Sequence, residues 1–503
     1  MKSCFLNRPR ILRLIPAAGL LLSPLLGGSA TAQVTLNQLS QDSYTNTSSQ
    51  HATEVEPGSF SHGNTIVSAF QVARISGGGG ADIGFAISTD AGKTWQNGYL
   101  PGITIFQGGL NQAASDAAVA YDAAHGEWLI STLPIGSAST TVAVSRSADG
   151  ITWSKPITVT HLGSPDKNWI TCDSTPTSKF YGHCYTEWDD TNNGNQIEMS
   201  TSTDGGKTWG PALSTLRRDS GIGGQPLVQP NGTVVVPIMD LNGDMVSFSS
   251  IDGGKTWAPT VLISVVQSHF EGGNLRSAGL PSAAADAVGT IYVVWPDCRF
   301  RKACASNDLV LSTSTDGKTW SKVTRVPIDV VTSTVDHFIT GLGIDPATSG
   351  ATAHLGLTYY YYPVSNCTQT SCKLEAGFIQ SATGGKTWFG KQHLAGPMSL
   401  NWLPNTFSGN MVADYITVSY AAGEAFPIFA VAHALTGSLF HQAIYTTAAG
   451  FSAAKPANEV ELSSANDRPV PGVKSDHGPM QYYDLDHERP IPGRGGRPPL
   501  EKD

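Results

Sequence analysis

Five short segments carry the side chains whose types and spacing could do chemistry. They are Asp116; Asp166, Lys167 and Asp173; Glu271 and Arg276; Asp336 and His337; and Asp414 and Tyr415. Carboxylates and an imidazole suit general acid and base work, in which one group gives a proton and another takes one. Arg and Lys suit the holding of an anion, Arg through a planar two-bond grip and Lys as a point charge. The expected assignment is Asp336, His337, Asp414 and Tyr415 as catalytic residues, with Asp116, Asp166, Lys167, Glu271 and Arg276 binding substrate. No metal ligand and no cofactor are expected. The alternative is that these charges pair with one another, because an inward-turned charge is costly unless used or paired. The segments are spread from Asp116 to Tyr415, so an architecture must gather the starts of many separate elements at one place.

A repeat supplies that architecture. Ser88–Trp95 reads STDAGKTW, Ser202–Trp209 reads STDGGKTW and Ser250–Trp257 reads SIDGGKTW. Ser147–Trp153 and Ser314–Trp320 are one residue shorter, and Ser381–Trp388 has Thr383 in place of the Asp. The six copies lie 48 to 67 residues apart. Each follows a short alternating apolar run, such as Ile83–Ile87 or Met245–Phe248, that ends in a Gly-rich turn. That pattern marks a strand entering a hairpin. A further strand signal precedes it in several units, as in Tyr185–Trp188 and Ile291–Trp295. A degraded seventh unit ends at Gln442–Thr447, in step with the period. About four short strands per unit at this period predict an all-β, seven-bladed β-propeller of four-stranded antiparallel blades, six blades being the alternative count. Stretches of 3.6-residue period are absent, which excludes a helical solenoid. The innermost strand should open each blade, and the five segments stand at or just before such openings.

The box itself reads as structure. Its Asp can accept backbone N–H bonds across the turn, its Gly permits positive φ, and its Trp covers the hairpin. Six of the eleven Trp serve this way, so no box residue is assigned to catalysis. Tyr359–Tyr362 places alternate rings on the two faces of a strand, for packing. Asp297 and Arg299 are expected to pair locally, with Cys298–Cys304 pinning their loop.

Composition agrees with export. Charged residues make up 14%, and there are 54 Gly and 30 Pro. Residues 1–32 join Lys2, Arg8, Arg10 and Arg13 to an apolar run, Leu14 to Leu26, and end in the small-x-small Ala30-Thr31-Ala32, a signal peptide. Its removal takes the formal net charge from −9 to −13. A chain so acidic does not attract nucleic acid through its overall field. Six cysteines remain in three local pairs, Cys172 with Cys184, Cys298 with Cys304 and Cys367 with Cys372, which reads as disulfides in an exported protein. Residues 33–463 are assigned to the repeat domain. Residues 464–503 form a Pro/Gly-rich tail, largely disordered, its first part laid on that domain. A monomer without an integral membrane segment, secreted to the exterior or the periplasm, is expected.

Repeated Asp-boxes in an exported chain resemble the bacterial neuraminidase repeat of the sialidase superfamily, and more narrowly the secreted bacterial proteins called sialidase-like. The six boxes, Pro165–Ile170, Trp295–Arg299 and Gly409–Tyr415 carry the resemblance, over nearly the whole mature chain. It implies a propeller and a glycoside hydrolase acting on a terminal sugar, acidic sugars included, with carbohydrate or a glycoconjugate as partner. Sialidases hold the substrate carboxylate with three Arg and use an Asp acid/base and a Tyr nucleophile activated by a Glu. Their first Arg sits in a Phe/Tyr-Arg-Ile-Pro motif; here that region reads Ala73-Arg74-Ile75-Ser76, without the aromatic residue or the Pro. The rival expectation is therefore a non-catalytic extracellular propeller that binds glycan or protein.

Overall fold

The structure is a computed structural model. It describes Met1, residues 34–475 apart from 138 and 458, and the short pairs Tyr483–Asp484 and Arg489–Pro490. The signal-peptide assignment, with Cys4, and most of residues 476–503 lie outside the described residues. No described helix is long and apolar enough to cross a membrane.

From Val34 onward the chain is one compact unit of antiparallel sheets with short 3₁₀ turns. An eight-stranded sheet holds two four-strand meanders, Glu54–His62 to Gln96–Tyr99 and Ala113–Asp122 to Ile157–Thr160, joined where Gly80 meets Ala114. Three strands follow, Pro165–Cys172, Cys184–Asp190 and Gln196–Ser202. Their expected fourth partner shrinks to a bridge between Met199 and Leu213. Pro211 stands at its start and has no N–H to give a ladder. Next come a five-stranded sheet from Gly221–Ile222 to Val261–Ser264, and two four-stranded sheets from Ser282–Ala285 to Thr324–Arg325 and from Asp336–Ile344 to Phe389–Ser399. The last sheet takes Thr417–Ala421, Glu424–Ala432 and Gln442–Thr447, and its outer strand is Leu36–Gln38 from the other end of the chain.

The first strands of these groups lie side by side in chain order, with Leu227–Val228 taking that place in the five-stranded sheet, and Thr417–Ala421 returns to lie beside Glu54–His62. Strands in the middle of a group are buried on both faces, as in Gly80–Ser88 and Ile291–Asp297. The alternation read from sequence is thus shallow, because neighbouring sheets stack against each face and leave neither to water. The largest apolar cluster joins Ile66, Phe70 and Val72 near one end of the chain to Phe426, Ile428 and Phe429 near the other.

Three disulfides form as the local pairs anticipate. Arg299 and Asp297 pair at 2.6 Å. In the boxes Ser Oγ donates to Asp Oδ1 at 2.8–3.0 Å and accepts the Gly N–H. The same Asp accepts the backbone N–H of the Thr. In the sixth copy Thr383 Oγ1 does this work, accepting Thr387 N–H at 2.8 Å. Residues 459–475 lie along the sheets: Leu462 pairs with Trp388, Asp467 with Arg325, Val470 with Arg299 and Ser475 with Ser268.

Candidate functional site

Antiparallel turns alternate ends, so the boxes lie at one end of the strands and the starts of the first strands at the other. A bulge recurs near the start of four first strands. Glu56, Asp116, Lys167 and Ile339 each have φ between 43° and 57°, where the ladder register slips. Left-handed backbone costs a non-glycine residue about 1–2 kcal/mol. Bulges kept at that cost re-aim side chains.

Three clusters result. The first is a belt of charge built from separate elements. Arg276 grips Asp414, with Nη2 2.5 Å and Nε 3.1 Å from Oδ2. Burial would raise the Asp414 carboxyl, but the charge and hydrogen bond of Arg276, a hydrogen bond from Glu56 and the charge of Arg74 hold it below the usual range. Glu56 in turn bonds Gln71, which bonds Ser115. Lys167 Nζ sits 3.7 Å from the centre of the Tyr415 ring, 4.8 Å from that of Trp169 and 3.7 Å from Asp116 Oδ1. Glu187, facing Trp169 across the ladder, is pushed up to about 8 by burial against the pull of Lys167. Apart from Trp169, which is half-buried, the members, from Glu187 at 0% to Asp414 at 4%, are nearly sealed from solvent. Asp166 lies beside the belt, fully buried, accepting the Lys167 N–H at 2.9 Å.

The second cluster centres on Asn307. Its N–H donates to Asp336 at 2.6 Å, and its side-chain amide donates to Glu271 at 3.2 Å and to the His269 carbonyl at 2.8 Å. His269 Nε2 stands 3.7 Å from Asp336 Oδ2. His269, Glu271 and Asn307 line a cavity of about 20 Å³, room for a water molecule.

The third holds His337, whose side chain turns away from that of its strand neighbour Asp336. Its ligand atoms lie within 4.8 Å of those of Asp308 and Asp329, a grouping that could hold a metal ion. Arg301 and Arg325 already occupy both carboxylates, at 2.5–2.8 Å, so the charge a cation would supply is in place. Burial pushes His337 down to about 4, so it is neutral at pH 7.

The nine anticipated residues therefore divide. Asp414, Tyr415, Arg276, Lys167 and Asp116 meet in the belt, with Asp166 at its side; Asp336 and Glu271 share the Asn307 cluster; His337 belongs to a third. Glu56, Glu187, Trp169, His269 and Asn307 were not anticipated. For Glu187 a signal existed: a carboxylate in the middle of a strand, Tyr185–Trp188, that otherwise reads as buried.

No protein-family profile and no curated protein matches the chain. Solved structures are similar to it. The Trypanosoma rangeli sialidase, in a covalent intermediate with 2,3-difluorosialic acid, aligns with 82% of this chain at 11% identity and a TM-score of 0.43; the aligned part is 58% of that protein. An ulvan lyase described as a new family of polysaccharide lyase aligns over 86% of this chain and 100% of its own, at 11% identity and a TM-score of 0.48. A protein of unknown function from Dyadobacter fermentans aligns over 69% and 99%, at 15% identity and a TM-score of 0.41.

Proposed function

We propose that the chain is a secreted, sialidase-like, seven-bladed β-propeller that hydrolyses the glycosidic bond of a terminal sugar, acidic sugars included. The blade count takes the eight-stranded sheet as two blades, and the cyclic order of the first strands supports it. The N-terminal basic-apolar pattern and the three disulfides support secretion. The observation that carries the activity is the convergence, at the end opposite the boxes, of Asp414, Tyr415, Arg276, Lys167 and Asp116 from separate strands and connections. An Asp held ionised beside a tyrosine, with cations at hand, has the components of glycoside chemistry on an anionic sugar. The test is turnover by purified protein of a panel of fluorogenic glycosides that includes the sialoside. Turnover lost in Asp414→Asn and Tyr415→Phe supports the reading. Turnover on no glycoside, or turnover unchanged in both variants, overturns it.

A second reading has its own observation. The belt residues pair with one another behind a nearly closed surface, which suits a non-catalytic propeller that binds glycan or protein on its exterior. Binding to a glycan array without turnover would select it.

A further inference from the structure

Asp116, Lys167 and Glu187 form a sealed trio inside the belt. All three are at most 3% exposed. Lys167 Nζ makes no hydrogen bond, nor does Asp116 Oδ2, nor either carboxyl oxygen of Glu187. Buried polar atoms left without partners call for an explanation. Two rings, Trp169 and Tyr415, flank the Lys167 nitrogen. Gly224 closes the other side; a Cβ there would stand 2.5 Å from Glu187 Cδ. Glu187 carries a proton at neutral pH, since burial pushes its carboxyl up to about 8. An amine, a carboxyl and a second, proton-bearing carboxyl, shut away from water, are the components of an amide condensation. Asp116 and Lys167 both have positive φ, and Lys167 Nζ lies 3.7 Å from Asp116 Oδ1.

We propose that Lys167 and Asp116 become joined by an intramolecular isopeptide bond, with Glu187 relaying the protons. The Lys167 ammonium first passes a proton to the Asp116 carboxylate, which leaves an amine facing a carboxylic acid. The nitrogen lone pair then attacks Asp116 Cγ. Glu187 gives its proton to the departing hydroxyl and takes one back from the nitrogen. The C–O bond breaks, water leaves and the C–N amide remains. Ammonium plus carboxylate gives amide plus water, so atoms and charge balance without oxidant or cofactor. The product replaces two buried charges, which are expensive to desolvate, with a neutral group. It ties Ala113–Asp122 to Pro165–Cys172, the first strands of two neighbouring strand groups. The bond takes Lys167 and Asp116 out of the belt as charges and leaves Asp414, Tyr415 and Arg276 to the glycan reading. The inference does not depend on the glycan reading.

The test is the intact mass of the purified, reduced protein, with a tryptic map. The expected mass is one water below that calculated for the reduced chain without residues 1–32, with peptide 94–146 joined to 147–179 and no cleavage after Lys167. In Glu187→Gln the full mass should return, with cleavage after Lys167. A wild-type protein of full mass that yields a free peptide ending at Lys167 overturns the proposal. So does loss of water without this cross-link. The wild-type map decides the matter even where Asp116→Ala or Lys167→Arg fails to fold.

Discussion

The two ends of the strands solve opposite problems. At the box end the Ser, Asp, Gly and Thr groups of the turn are answered within eight residues of sequence: Ser bonds Asp, Asp bonds the Thr N–H, Gly bonds back to Ser. At the belt end the contacts between charged side chains are remote in sequence. Arg276 and Asp414 are 138 positions apart, and buried oxygens of Glu187 and Asp116 have no hydrogen-bond partner. The local solution is copied six times and tolerates decay, as Thr383 shows. The non-local one occurs once, and chemistry can reside only where the repeat stops repeating.

The largest break in this contrast should come from Arg276→Met. It leaves Asp414 buried without its main counter-charge and should cost about 3–5 kcal/mol by urea denaturation. Arg276→Met with Asp414→Leu should recover much of that loss. If the single variant costs no more than a box variant, the belt is not the fragile end.

Next in size is a pH effect at Glu187. Its carboxyl rises from 4.5 to about 8 on folding, so the neutral form is the stable one. The penalty is absent below about pH 4.5 and grows until the folded carboxyl ionises near 8. The thermal midpoint of wild type should fall over that window relative to Glu187→Gln; parallel curves would refute the assignment.

Asp252→Ala, in one box, should cost about 1 kcal/mol, the loss of one capped turn. Thr383→Asp should be neutral or slightly stabilising. Both are read by the same denaturation curves.

The smallest effect is acid lability of the boxes. Backbone hydrogen bonds hold Asp90, Asp149 and Asp316 at about 2, below the usual 3.8 of an Asp carboxyl. A lowered folded value means stability is full above about pH 4 and is lost as pH falls toward 2. Wild type should lose thermal midpoint over that interval, and a variant with all three changed to Asn should lose less.

What could be read from sequence follows the same divide. The boxes, the strands leading into them and the disulfides are short-range patterns, and each is present. Asp414 and Arg276 were recognisable as candidates because charge is rare in strand openings, yet nothing local says that they meet. Glu56 sits in a bulge without the Gly that would mark one, and Asn307 is an ordinary polar residue until its three bonds are seen. His337 and Asp336 are neighbours in sequence but not in environment, since consecutive strand residues face opposite ways. The polar stretch Ser464–Asp467 reads as tail because its partner, Arg325, is remote.

The pairing of Leu36–Gln38 with Tyr445–Thr447 sets an order of events. Ser40 and Ile444, hydrogen-bonded to each other, are 404 positions apart, so the earliest strand to be made waits for nearly the last. Until then the final sheet has an open edge, and an open edge recruits other chains. Non-local closure of this kind is slow. A chain cut short before Gln442 leaves Leu36–Gln38 without the strand it pairs with, so the two ends of the chain complete one sheet only together.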